Sequence, residues 1–179
     1  MALAATGDQR AFATLVTRHE ARVRRLVTLL VGDRERAREL AQDVFMIAWA
    51  RRDAYRATAP WRAWIAGIAR NLAARERRRA RVRSLFGLAT PPAWTAPAML
   101  PAPDAGLETL AAADRERVVV SALARLPPKM REALVLRFVE GLDYTAMSNA
   151  LGVSASTLRS RVHHGLARLG PYVPQEMLR

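Results

Sequence analysis

Apolar residues along the chain recur at steps of three and four, and sustained alternation is absent, so the pattern predicts helices and no strand. Phe12, Leu15, Val16, Val23, Leu26, Val27 and Leu30 share one helical face. Asp8 stands where an N-cap belongs, and Gly32 stands where the chain would leave the helix near Val31. Asp33 opens a second helix to about Arg52, with Ala37, Leu40, Ala41, Val44, Phe45 and Ala48 or Trp49 inward. After a loop at 53–60, Pro60 suits the start of a third helix. There Trp61, Trp64, Ile65, Ile68 and Leu72 repeat at helical steps. Trp64 is expected in the core, whereas Trp61 and Tyr55, near the loop, are expected to be partly exposed. The stretch TPPAWTAPAMLPAPDAG (90–106) is rich in proline and has little period, so residues 84–112 read as a Pro/Ala-rich linker. A second module opens near Asp114; Pro127 and Pro128 restart a helix that Gly141 ends, and shorter helices follow at about 144–150 and 155–169. The expected fold class is all-α: two small helical domains, 1–83 and 113–179, joined by the linker.

The last two helices have the arrangement of a helix-turn-helix. Small Ser148 is followed four residues later by Gly152, which suits a left-handed turn, and six residues after that by Leu158. Ser154 can cap the second helix, and Leu158, Val162, Leu166 and Leu169 are expected to face inward. Its outward face then presents Ser156, Thr157, Arg159, Ser160, His163 and His164, donors suited to base edges and phosphates in a major groove. The same pattern also fits an ordinary helix pair in an all-α bundle, so charge and context must decide.

Charge favours a polyanionic partner. The chain carries 29 Lys and Arg against 16 Asp and Glu, a net charge of +13. Codon bias can explain why Lys129 is the only lysine, but not the excess of bases over acids. No cysteine is present, which removes disulfides and Cys-containing zinc sites, and His19, His163 and His164 are the only histidines. No convergent carboxylate pair, nucleophile with a base, or metal cluster is apparent; the expectation is a non-enzyme with no catalytic residues, no metal and no cofactor. No apolar run is long enough to span a membrane, and the N-terminal residues do not read as a signal peptide. A soluble, cytoplasmic protein is expected.

The first module shows no βαβ alternation and no phosphate loop. It ends in RERRRARVR (75–83), six arginines in nine residues, behind a tryptophan-rich helix start. Exposed aromatics beside arginines make a stacking platform for unpaired bases. The arginine run also fits a solvated helix end, or a site that grips phosphate without reading sequence.

Two blocks resemble the bacterial sigma-70 family of RNA polymerase sigma factors, in its extracytoplasmic-function group. FATLVTRHEARVRRLVTLLVGDRERARELAQDVFMIAWARR with PWRAWIAGIARNLAARERRR resembles region 2, and LARLPPKMREALVLRFVEGLDYTAMSNALGVSASTLRSRVHHGLARL resembles region 4. Together they cover about three-fifths of the chain, in the family's order.

The resemblance implies binding to the beta and beta-prime subunits of core RNA polymerase and to promoter DNA, with an anti-sigma factor as regulator. Region 2 would bind the polymerase clamp through Glu39, Gln42 and Asp43, and would capture the melted −10 element through Tyr55, Arg56, Trp61, Asn71, Arg75 and Arg78. Region 4 would read the −35 element as duplex through Ser156, Thr157, Arg159, Ser160, Arg161, His163 and His164. Ordinary readings stand beside these roles. The carboxylates can pair with arginines on their own helix, Asn71 can be structural, and Arg161 can form an internal ion pair. Departures from the family pattern fall at Ala146, where an acidic residue is common, at Met147–Ser148, at Ser156, and at His164–Gly165. Gly165 inside a helix costs about 1 kcal/mol relative to Ala. The alternative function is a helix-turn-helix regulator that binds duplex DNA and never engages polymerase.

Overall fold

The computed structural model describes residues 7–55, 60–87 and 118–172, apart from the side chain of Arg34. Every regular element among them is helical. Helix α1 spans Gln9–Val31, α2 spans Arg34–Ala50, and α3 spans Trp61–Leu85. The described part of α4 is 118–124. Helix α5 is Pro128–Leu134, α6 is Tyr144–Leu151 and α7 is Ala155–Leu169.

The expected caps form. The Asp8 carboxylate accepts from the N–H groups of Arg10 and Ala11, and Asp33 accepts from that of Arg36. Such contacts satisfy donors that the first helical turn leaves free. Pro60 precedes α3 in an extended conformation and carries no N–H to waste. Three expectations need correction. Helix α3 runs to Leu85, so Ser84 and Leu85 are helical and not linker; most of 84–112 lies outside the described residues, as do residues 114–117. The segment after α5 tightens no further as an α-helix: Val135–Val139 form a π-helical turn. Leu166 faces outward at 42% exposure, and the inward place on α7 belongs to Gly165. A Cβ at Gly165 would meet Leu134 Cδ1 at 3.0 Å. The helix gives up propensity here so that α5 and α7 can pack side by side.

The first three helices form a bundle around Leu26, Val27, Leu30, Val44, Ala48 and Ala69. The C-terminal half of α1 is buried beyond one face, and Thr28 and Leu29 join the expected residues. Thr28 Oγ1 satisfies itself by donating to the Arg24 carbonyl at 2.8 Å. A charged network ties α3 to its neighbours. The buried Glu76 carboxylate accepts from Arg36 at 2.9 Å and from Arg83 at 3.0 Å, and Arg77 donates to the Leu30 carbonyl at the end of α1.

The second group of helices packs around Leu136, Leu142, Met147 and Leu158, all at most 1% exposed. Arg131 is buried among them and donates to the carbonyls of Leu123, Ala124 and Leu126, closing the turn that Pro127 follows. Burial and the nearby Arg77 charge push its pKa down to about 10, which leaves it charged at neutral pH.

The two groups are not separate in space. Helix α3 lies against α6, and at their closest approach a Cβ on Gly67 would stand 3.0 Å from the Ala150 carbonyl oxygen. Arg22 donates to the Glu140 carboxylate at 2.9 Å and to its carbonyl at 3.1 Å, and Arg70 donates to Glu132 at 2.7 Å. Both carboxylates are at most 3% exposed. Burial raises the pKa of Glu140 against the pull of Arg22, Arg62 and Arg25, and its Oε1 has no hydrogen-bond donor among the described residues. Buried ion pairs of this kind add little net stability once the desolvation of both charges is counted.

Two outcomes are expected. Burial pushes the Glu76 carboxyl up, but hydrogen bonds and charge from Arg36 and Arg83 outweigh it and hold the group below its usual value. A carboxyl depressed in the fold contributes stability above its unfolded pKa and loses it as pH falls through the folded value. Glu76→Gln is expected to cost about 1–2 kcal/mol at neutral pH, because the two partly exposed arginines rehydrate. It should also flatten the loss of stability below about pH 4, read from urea titrations across pH. Gly67→Leu suits a helix but cannot meet the Ala150 backbone. Small-angle scattering should show a larger radius of gyration, with helix content unchanged by circular dichroism.

Candidate polymerase-facing and DNA-reading surfaces

Three surfaces carry the residues singled out in the sequence. The first is a groove of about 540 Å³ between α1 and α2, lined by Val16, Glu20, Arg24, Arg38, Gln42 and Phe45 among others. Its floor is apolar and its rim mixes both charges. Gln42 reaches it, whereas Glu39 and Asp43 are not part of its lining. Glu39 is exposed and already engaged by Arg36, one turn earlier on the same helix. Any partner that uses Glu39 must compete with that pairing. Beside the groove, Phe12 packs on Trp49 with ring centroids 5.0 Å apart, and the Arg52 guanidinium lies 4.6 Å over the Trp49 ring. The rim acids Glu20 and Glu35 were not legible as site residues, because isolated carboxylates on a helix face read as solvation.

The second surface runs along α3. Trp61, Trp64, Asn71, Arg75 and Arg78 follow at steps of three, seven, four and three, which places them on one stripe. Asn71, Arg75 and Arg78 are exposed, and Trp61 is half-buried. Tyr55 joins the two tryptophans in a cluster whose centroid separations are 5.0–5.8 Å. Trp64 is therefore only partly in the core: it packs inward on one side and shares the aromatic cluster on the other. Asn71 Oδ1 accepts from Arg70 at 3.1 Å. Farther along, Arg75, Arg78, Arg79 and Arg83 surround Val82 in a shallow groove. Arg56 lies outside the described residues.

The third surface is the helix-turn-helix. Gly152 takes φ 62°, the left-handed conformation its turn requires, and ends α6 by donating to the Ser148 carbonyl. Ser154 caps α7 by accepting from the Thr157 N–H at 3.2 Å, and its hydroxyl also lies within hydrogen-bond distance of the Ser156 and Thr157 hydroxyls. Those two side chains are thus engaged in the cap. Arg159, Ser160, His163 and His164 stand exposed beyond it, Arg161 is half-buried, and the two imidazoles meet edge to face at 5.4 Å. Tyr144, absent from the expected site, lies under Arg159 and Arg137, each guanidinium 5.2 Å from the ring centroid.

One stripe of aromatics and arginines and one exposed helix-turn-helix face, carried by two helical groups of a single chain, match a known pattern. Residues 15–83 match the family model for sigma-70 region 2, and residues 116–169 match that for sigma-70, region 4. The chain belongs to the sigma-70 family. Its relatives place it in the extracytoplasmic-function (ECF) group. It is 34% identical over 174 residues to the ECF RNA polymerase sigma factor SigE of Mycolicibacterium smegmatis, covering 94% of this chain and 65% of that one. It is 30% identical over 171 residues to the ECF RNA polymerase sigma factor SigL of Mycobacterium tuberculosis, covering 93% of this chain and 90% of that one. The fold is similar to that of the sigma factor RpoE solved in complex with the anti-sigma factor NepR from Bartonella quintana. The TM-score is 0.72 at 25% identity, over 91% of this chain and 96% of that one. As a sigma factor the protein is a promoter-directing initiation factor that works with core RNA polymerase, and the family is not enzymatic. Among the described residues no helix is long and apolar enough to cross a membrane.

Proposed function

We propose that residues 1–83 act as the region 2 domain and 113–179 as the region 4 domain of a cytoplasmic sigma factor, joined by a linker at about 86–112. The groove between α1 and α2 receives the polymerase clamp, with Gln42 at the contact and Glu39 and Asp43 on the same helix. Tyr55 and Trp61 offer stacking surfaces for unpaired bases of the −10 element; Asn71 supplies an amide for a base edge, and Arg56, Arg75 and Arg78 hold phosphates. On α7, Arg159, Ser160, His163 and His164 face the −35 duplex, with Arg161 at its margin and Ser156 and Thr157 at the helix start. The observation that carries this reading is that one chain holds an aromatic and arginine stripe on α3 and an exposed helix-turn-helix face on α7, on opposite sides of a weakly patterned linker sequence.

The geometry adds a requirement. The −10 and −35 elements lie about 25 base pairs apart by their names, roughly 85 Å along the duplex at 3.4 Å per base pair. A packed globule of this length has a radius of gyration of about 16 Å. With Gly67 against Ala150 the two reading surfaces cannot reach both elements, so the contact between α3 and α6 must open when the promoter is bound. Polar latches such as Arg22–Glu140 and Arg70–Glu132 suit that exchange, since water can replace each pair. An anti-sigma factor that binds across both domains would hold them closed; the complex of RpoE with NepR supports a partner of this class.

The test is run-off transcription with sigma-free core polymerase on a genomic promoter library. Discrete starts that depend on the protein support the reading, and their sequences give both elements. Core binding without starts would point to a missing activator or an unsuitable core, and the absence of both would leave an ordinary DNA-binding protein. Gln42→Ala with Asp43→Ala is expected to weaken core binding at least tenfold while leaving duplex binding intact. His163→Ala with His164→Ala should keep core binding and change base preference only at the upstream element, as read by sequencing of selected promoters.

A further inference from the structure

Tyr144 reads no obvious ligand, yet three features converge on it. It is the first residue of α6, and the preceding Asp143 caps that helix by accepting from the Ala146 N–H at 2.7 Å, which fixes the backbone beneath the ring. The ring is partly buried against the core, so its plane is held. Two guanidiniums lie over it, and one of them is itself anchored: Arg137 Nη1 donates to the Leu142 carbonyl at 3.0 Å. The second belongs to Arg159, whose side chain is otherwise exposed on the outward face of α7.

An exposed arginine samples many rotamers, and binding must freeze one of them. A ring fixed on the neighbouring helix removes part of that loss beforehand. We infer that Tyr144 is a positioning residue: its aromatic face holds the Arg159 guanidinium in the orientation used to read the upstream duplex. Arg137 steadies the ring from the turn that joins α5 to α6. The face matters and the hydroxyl does not, because a cation is attracted by the ring quadrupole. This rests on the assignment of Arg159 as a base reader, so one arm of the test must be independent of DNA.

In the free full-length protein, relaxation of the Arg159 Nε–H group by NMR is expected to show an ordered side chain in the wild type and in Tyr144→Phe. Tyr144→Leu keeps an apolar body without a ring and should leave that group mobile. Equal order in all three proteins would overturn the inference, whatever Arg159 does on DNA. The second arm uses holoenzyme and a promoter library randomised across the −35 element. Tyr144→Leu is expected to lower discrimination by about two- to fivefold, the scale of an exposed cation–π contact, and only at the base pair whose preference Arg159→Ala erases. Tyr144→Phe should retain it, and in an Arg159→Ala background Tyr144→Leu should add nothing.

A loss of equal size in that background, or a Tyr144→Phe variant as impaired as Tyr144→Leu, would overturn positioning in favour of a structural role or a direct hydroxyl contact. If Arg159→Ala leaves every preference unchanged, the reader assignment fails, and the inference fails with it as a statement about DNA reading. Circular dichroism on each variant separates these outcomes from misfolding.

Discussion

The close approach of α3 to its neighbours is the constraint on which the rest of the molecule depends. One helix of 25 residues serves three clients. Ala66, Ala69 and Ala73 let it sit deep in the first bundle, and Gly67 lets α6 touch its backbone. The remaining stripe stays free for Tyr55, Trp61 and the arginines. Large aliphatic residues at the inner positions would push α3 outward and tilt the stripe. Small ones forgo area worth about 25 cal/mol per Å², and the burial of Ile65 and Ile68 is supplemented by polar ties: Glu76 to Arg36 and Arg83, and Arg77 to the end of α1.

The polar ties within the first bundle differ from those between the two groups. Glu76 has arginine donors on both oxygens, and their effect outweighs desolvation. Glu140 has one arginine on one oxygen, and desolvation wins. Glu140 sits deeper and loses more hydration, and it also meets fewer donors, so the two carboxylates are held to different degrees. The better-satisfied one lies inside the first bundle, and the poorer one lies at the seam between the two groups, the contact that the proposed function requires to part. Arg70, partly exposed, meets the buried Glu132 carboxylate across the same seam.

Much of this was legible in the sequence, for reasons that can be named. Asp8, Asp33, Ser154 and Gly152 announce their helix ends because capping is local chemistry, set within three residues. The inward faces of α1 and α2 follow from periodicity, as Val44 and Ala48 show. What escaped depends on neighbours. Leu166 fits the apolar period of α7 better than Gly165 does, but α5 approaches so closely that a Cβ at 165 would press on the Leu134 side chain, and Leu166 is turned out. The π-helical turn at Val135–Val139 has no compositional mark. Thr28 and Leu29 are buried off the face that the period of α1 marks, where α1 also meets the second helical group. Of the reading surfaces, the outward face of α7 was legible from the helix-turn-helix register, whereas Tyr144 was hidden because its partners lie on two other elements.

The preference for arginine has a structural use that codon bias does not supply. Lys129 is the only lysine among 29 basic side chains. Arg131 satisfies three carbonyls with one planar head, and Arg22 spans a carboxylate and a carbonyl of the same residue. Arg52 lies flat over Trp49, and Arg137 and Arg159 share Tyr144. An ammonium is a compact, strongly hydrated charge and could do none of these as well. The same planar fork serves inside the fold and stands exposed along α3 and on α7. A chain with buried guanidiniums inside its fold and exposed ones on the faces proposed to meet DNA therefore uses a single chemistry for both tasks.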